Sequence, residues 1–120
     1  LPRSDGTLHM CMYMRSVDCF LGLPFNIASY ALLLELFARW TGRTAATLTM
    51  FLADTHIYTN HLAQVDELLS RQPFDRPQVD IITPDDALTM NIHELVQIEP
   101  QDIQLVNYQH HAAIKAPMAV

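Results

Sequence analysis

Charge is scarce in this 120-residue chain, with 17% of residues ionised, and what there is leans acidic. Seven basic residues against 13 acidic ones leave a net charge of -6. That balance argues against an extended nucleic-acid or anionic-membrane surface, although a local arginine can still hold one phosphate. Cysteine is nearly absent. Cys11 and Cys19 make no disulfide framework and no Cys-x-x-Cys metal motif, so a reducing, cytoplasmic setting is the expectation. There is no glycine-rich phosphate loop, no dinucleotide fingerprint, no internal repeat and no low-complexity run. The longest stretch without an ionised side chain, Cys19 to Leu34, is broken by Gly22, Pro24, Asn26 and Ser29, so no membrane-spanning helix is expected. The first residues, Leu-Pro-Arg-Ser-Asp-Gly, do not read as a signal peptide and lack an initiator Met, which reads as the middle of a protein.

What remains is apolar. Half the residues are hydrophobic, which predicts a packed domain rather than disorder. Leu8 to Met14 alternates as a strand, with Leu8, Met10, Met12 and Met14 on one face and His9, Cys11 and Tyr13 on the other. Neither face is strongly polar, so both are expected to be covered. Arg15 to Leu23 reads as an irregular connection. Pro24 suits the first turn of a helix running to about Trp40, with Ile27, Ala31, Leu34, Phe37 and Trp40 inward and Gly42 ending it in the left-handed region. This helix is apolar nearly all round and is expected to be central and buried.

A strand over Thr47 to Ala53 and a helix over His61 to Ser70, with Leu62, Val65, Leu68 and Leu69 inward, follow. Beyond a proline-bounded loop, the pattern predicts a strand at Val79 to Ile82, acidic turn residues, a short helix near Asn91 to Val96 and a strand near Asp102 to Val106. Residues 112–120 are apolar enough to dock. The class is α+β: a mixed β-sheet against a long buried helix, without a regular βαβ rhythm.

Three segments can carry chemistry. Arg15-Ser16-Val17-Asp18 offers a guanidinium and a hydroxyl for a phosphate, and a carboxylate for a heterocycle; the plainer alternative is a surface turn with an Arg–Asp ion pair. Asn26 has both a donor and an acceptor to read a pyrimidine edge; the alternative is that it satisfies orphan backbone groups at the helix start. Asp54, His56 and Tyr58 share one face of an extended chain, fit for sugar hydroxyls or proton transfer; the alternative is a wet strand face. Spacing disfavours a metal site: His56 and His61 do not share a helical face, and His110-His111 is only a dipeptide. Cys11 and Cys19 read as small core residues, not nucleophiles.

Together these blocks resemble the carboxy-terminal half of thymidylate synthase. The resemblance rests on Tyr13-Met14-Arg15-Ser16-Val17-Asp18, on Leu21-Gly22-Leu23-Pro24-Phe25-Asn26-Ile27-Ala28-Ser29-Tyr30, on Asp54-Thr55-His56-Ile57-Tyr58-Thr59-Asn60-His61, and on Ile114-Lys115-Ala116-Pro117-Met118-Ala119-Val120. They occur in the family's order and span nearly the whole chain. The resemblance implies that residues 1–120 are part of one thymidylate synthase-like domain. It implies reductive methylation of dUMP to dTMP with 5,10-methylenetetrahydrofolate as co-substrate, giving dihydrofolate, without a metal.

By position, Arg15 and Ser16 match the phosphate-binding pair, Asn26 the residue that reads uracil, and His56 and Tyr58 the pair on the deoxyribose hydroxyl. Asp18 matches the pterin-binding aspartate. Leu21, Gly22 and Phe25 match folate neighbours, and residues up to Val120 match a tail that closes over the folate. Asp18 and Asn26 are the catalytic candidates in this part. Val17 stands where many relatives have cysteine and is expected to act as packing. Leu52-Ala53 replaces a pair in which the family usually has a glycine before the aspartate, and is expected to crowd the turn.

The family's nucleophilic cysteine, in a Pro-Cys-His motif, has no counterpart here, so the chain is expected to begin just past it and to be inactive without the amino-terminal half. Implied partners are that half and a second copy in a homodimer, in a cytoplasmic, non-membrane protein. Alone, the chain is expected to expose apolar surface and to associate. A dUMP hydroxymethylase of the same family and a non-catalytic nucleotide-binding or assembly module are the alternatives.

Overall fold

The computed structural model describes residues 3–82 and 91–118. The acidic turn residues expected after Ile82, and Val120, lie outside the described residues. The chain runs β1 (Thr7–Asp18), α1 (Leu23–Trp40), β2 (Thr44–His56), a single 3₁₀ turn (Thr59–His61), α2 (Leu62–Ser70), β3 (Gln78–Ile81), α3 (Ile92–Leu95), a second 3₁₀ turn (Pro100–Asp102) and β4 (Ile103–Val106).

β1 and β2 pair in parallel, with Met10 opposite Leu48, Met12 opposite Met50, Met14 opposite Leu52 and Asp18 opposite His56. Parallel neighbours need a crossover, and α1 supplies it, packing across both strands. One βαβ unit is therefore present, without the repeated rhythm of a doubly wound sheet. β3 and β4 form a separate antiparallel pair, so the described strands make two two-stranded sheets instead of one mixed sheet.

The α1 boundaries follow from local chemistry. Pro24 sits in the first turn, where its missing N–H leaves no bond unmade. At the far end Gly42 has φ of 61°, Gly42 N–H donates to Arg39 O (3.2 Å) and Arg43 N–H to Ala38 O (2.8 Å), a Schellman closure. Arg39, in the last turn, donates from Nη2 to Ile81 O (3.0 Å) and ties α1 to β3. α3 carries a capping box, with Asn91 accepting from the backbone of His93 and Glu94 and the Glu94 side chain accepting from Asn91 N–H.

The helix is long but not buried. Only Leu34 and Ala38 of α1 are enclosed, whereas Ile27, Ala31 and Trp40 are exposed. The alternation in β1 has the expected phase, with Met10, Met12 and Met14 half-buried, yet Cys11 and Tyr13 stand in the open, Tyr13 at 69% exposure beside Phe51 at 57%. The expectation that both faces are covered therefore fails, as does the placement of Cys11 in a core; Cys19 is half-buried. Leu62, Leu68 and Leu69 of α2 are also exposed. α1 packs on one face of the β1–β2 pair, whereas Cys11, Tyr13 and Phe51 on the other face stay open among the described residues. The radius of gyration, 16.9 Å, exceeds the about 14 Å of a compact domain of this length.

Candidate functional site

In open parallel α/β units, ligands sit beyond the carboxyl ends of the strands, where the βα turns converge. The candidate residues gather at that end. β1 extends through Arg15, Ser16, Val17 and Asp18, which corrects the expected irregular connection from Arg15 onward. The register sets Ser16 opposite Asp54, and Asp18 opposite His56. Strand alternation puts Ser16 and Asp18 on one face and Arg15 on the other, with the exposed Tyr13. Val17 is fully buried, as a packing residue should be.

The turn after β1 is built by Asp18. Its Oδ1 accepts from the backbone N–H groups of Phe20 (2.9 Å) and Leu21 (3.1 Å), its carbonyl accepts from Gly22 N–H (3.1 Å), and Cys19 N–H donates to His56 O (3.0 Å). Oδ2 makes no hydrogen bond among the described residues. The Arg15–Asp18 ion pair does not form, and the Arg15 guanidinium has no hydrogen-bond or ion-pair partner there; the one ion pair among the described residues is Arg71–Glu67.

Gly22 allows a close approach. A Cβ added to it would lie 3.2 Å from Asp18 O and 3.6 Å from Asn26 Oδ1. Asn26, in the first turn of α1, donates its backbone N–H to Gly22 O (3.0 Å), but no side chain caps this helix. The capping alternative for Asn26 is thus overturned. Its half-buried carboxamide faces the Asp18–Gly22 turn with no internal hydrogen-bond partner among the described residues. Leu21 is half-buried beside it, and Phe25 projects at 74% exposure.

β2 continues through Asp54 and His56, and Tyr58 follows in extended backbone. The position of Ala53 is thereby corrected. It lies within β2, between the paired Leu52 and Asp54, with its methyl exposed, so it crowds no turn. His56 Nδ1 lies 3.2 Å from Asp54 O; a carbonyl only accepts, so Nδ1 donates and Nε2 of the neutral ring is left as an acceptor. The His56 and Tyr58 rings meet edge to face, centroids 5.1 Å apart.

His61 and Phe20, to which the sequence analysis assigns no role in the site, pack behind Tyr58. His61 is fully buried, its ring 5.6 Å from that of Phe20 and 5.5 Å from that of Tyr58. Its place at the end of the Asp54–His61 block was the available signal. No group of three or more metal-ligating side chains occurs among the described residues, and none of their helices is long and apolar enough to cross a membrane.

Known proteins match this arrangement. A thymidylate synthase of Symbiobacterium thermophilum is 44% identical over 115 residues, 96% of this chain and 38% of its own length. The crystal structure of thymidylate synthase from T4 phage superposes with a TM-score of 0.87 at 38% identity, covering 99% of this chain and 43% of that one. The chain thus spans less than half the length of either relative. The family model for thymidylate synthase matches residues 2–120, and the chain belongs to the thymidylate synthase family.

Proposed function

We propose that these 120 residues are the carboxy-terminal part of a working thymidylate synthase and hold dUMP and 5,10-methylenetetrahydrofolate at the carboxyl ends of β1 and β2. The observation that carries this reading is the Asn26 carboxamide, half-buried with no internal partner beside the turn that Asp18 organises. A carboxamide that is half-buried and makes no protein hydrogen bond among the described residues keeps its donor and acceptor open to a ligand. A neutral amide offers the donor and the acceptor that a uracil edge needs, whereas a carboxylate offers acceptors alone.

The other residues take complementary roles. Arg15, exposed and unpaired among the described residues, and Ser16 bind the phosphate; their opposite strand faces require the phosphate to sit at the strand edge between them. His56 Nε2 accepts from the deoxyribose hydroxyl and Tyr58 donates to it. Asp18 keeps Oδ2 for the pterin ring while Oδ1 holds the turn. Leu21, Gly22 and Phe25 flank the folate, and residues through Val120 close over it. The folate supplies the one-carbon unit and the hydride; donors such as the Asn26 amide, aimed in advance at the uracil oxygen, stabilise charge that develops on the ring after a thiolate adds to it.

In this reading the nucleophilic cysteine lies on a segment outside these residues, and the enzyme is a cytoplasmic homodimer that makes nucleotide precursors. The open face around Tyr13 and Phe51 suits burial against the amino-terminal half or a second copy. The test is a product assay on the protein that carries this segment, supplied with dUMP and methylenetetrahydrofolate. Equal amounts of dTMP and dihydrofolate support the synthase. Hydroxymethyl-dUMP without dihydrofolate assigns the hydroxymethylase instead, and nucleotide binding without turnover assigns a non-catalytic module.

A further inference from the structure

Segment 107–118 has no regular secondary structure, yet it is held at defined points. His61 Nε2 lies 2.7 Å from Pro117 O, Gln64 Nε2 donates to Lys115 O (3.5 Å), and Arg71 Nη1 donates to Ala112 O (2.6 Å). Residues 61, 64 and 71 fall on one face of the helical run through α2. Their acceptors run in the opposite order, so the segment lies antiparallel to the helix. The lengths agree: ten residues of helix rise about 15 Å, and five extended residues span about 17 Å. All three donors are side chains and all three acceptors are backbone carbonyls.

The innermost anchor is the most constrained. Because a carbonyl only accepts, His61 Nε2 carries the proton, and Nδ1 is buried without a partner among the described residues. The same ring packs between Phe20 and Tyr58, and Tyr58 meets His56. A continuous path of three contacts, His56 to Tyr58, Tyr58 to His61 and His61 to Pro117, therefore leads from the strand-end pair to the backbone of Pro117.

We infer that α2 and the turn before it form a docking track for segment 112–117, and that His61 is the positioning residue that couples this segment to the nucleotide pair. The coupling half rests on the nucleotide reading above; the track does not. Coupling is reciprocal, so a nucleotide that orders His56 and Tyr58 shifts the equilibrium toward the docked state, and docking tightens the nucleotide by the same factor.

Lys115, the only lysine of these 120 residues, sits in the docked segment and gives a cleavage product that its mass identifies. Endoproteinase Lys-C cleavage after Lys115, followed by mass spectrometry in the protein that carries this segment, reports the undocked population when reclosing is fast. His61→Phe keeps a ring between Phe20 and Tyr58 and removes the donor; it is expected to raise the cleavage rate about tenfold, as for the loss of one hydrogen bond to a buried group. His61→Gln places an amide N–H near the Nε2 position and is expected to restore the rate to within about threefold. Wild-type cleavage in His61→Phe, or a Gln variant as fast as the Phe variant, overturns the track. Should His61→Phe fail to fold, Arg71→Ala at the exposed end is expected to raise cleavage about threefold, and an unchanged rate overturns the track equally. Adding dUMP is expected to slow cleavage in the wild type and not in His61→Phe. No slowing despite calorimetric dUMP binding overturns the coupling alone, whereas no dUMP binding overturns the nucleotide reading and leaves the unliganded comparison to decide the track.

Discussion

Gly22→Ala separates stability from function at the turn on which the site depends. The backbone at Gly22 has φ of -90° and ψ of -51°, an ordinary conformation for alanine. Reduced freedom of the unfolded chain therefore favours the variant by about 0.4–1 kcal/mol. Against this, the new methyl would stand 3.2 Å from Asp18 O and 3.6 Å from Asn26 Oδ1. The first atom belongs to backbone that already accepts the Gly22 N–H at 3.1 Å, so the turn must give by a few tenths of an ångström. Overpacking of this kind costs about 1–3 kcal/mol. The net loss of stability is thus about 0.5–2 kcal/mol, small enough for the protein to fold.

The functional loss is larger, because the displaced atoms belong to the turn of Asp18 and lie against the Asn26 carboxamide. Misplacement of positioning groups by a fraction of an ångström is expected to weaken dUMP binding about tenfold or more. The assay pairs a thermal melt with calorimetric titration of dUMP on the protein that carries this segment. Wild-type affinity with a lowered melting temperature would refute the reasoning, since the turn would then be a structural detail with no bearing on the nucleotide.

Three further outcomes are expected. Asn26→Asp removes the amide donor and adds a charge in a half-buried place; dUMP affinity should fall about 30-fold or more while dCMP gains relative to it, read by parallel titrations. Arg15→Gln should cost about tenfold or more in dUMP affinity and leave deoxyuridine, which lacks the phosphate, unchanged; an equal loss for both ligands contradicts the phosphate role. The 120-residue chain by itself should sediment as a dimer or larger species through its open face, and Tyr13→Lys with Phe51→Lys should shift it toward monomer.

Much of the frame was legible in local sequence. Pro24 and Gly42 marked the ends of α1 because each acts through its own backbone, and the alternation from Leu8 to Met14 gave the phase of β1. The end of β1 was hidden for a physical reason: Arg15, Ser16 and Asp18 are polar and break the apolar alternation by which a strand is read. Parallel pairing of β1 with β2 was illegible, since period-two alternation is the same for either direction. Burial was overestimated because apolarity reports what a face requires and not whether these residues supply its cover. Of the candidate site, the Arg15–Asp18, Leu21–Asn26 and His56–Tyr58 groups could be read only as separate stretches of sequence, and the register joins the first and last through Asp18 opposite His56. The block ending at His61 was visible, but the contact of its ring with Pro117 was not, because that partner lies 56 residues away and accepts through its backbone.

The most direct test of the central claim is a crystal structure of the protein that carries this segment, grown with dUMP. The account expects the uracil edge within hydrogen-bond distance of the Asn26 carboxamide, the sugar hydroxyl at His56 and Tyr58, and the phosphate at Arg15 and Ser16. A nucleotide bound elsewhere, with the Asn26 amide turned to a protein partner, would contradict it.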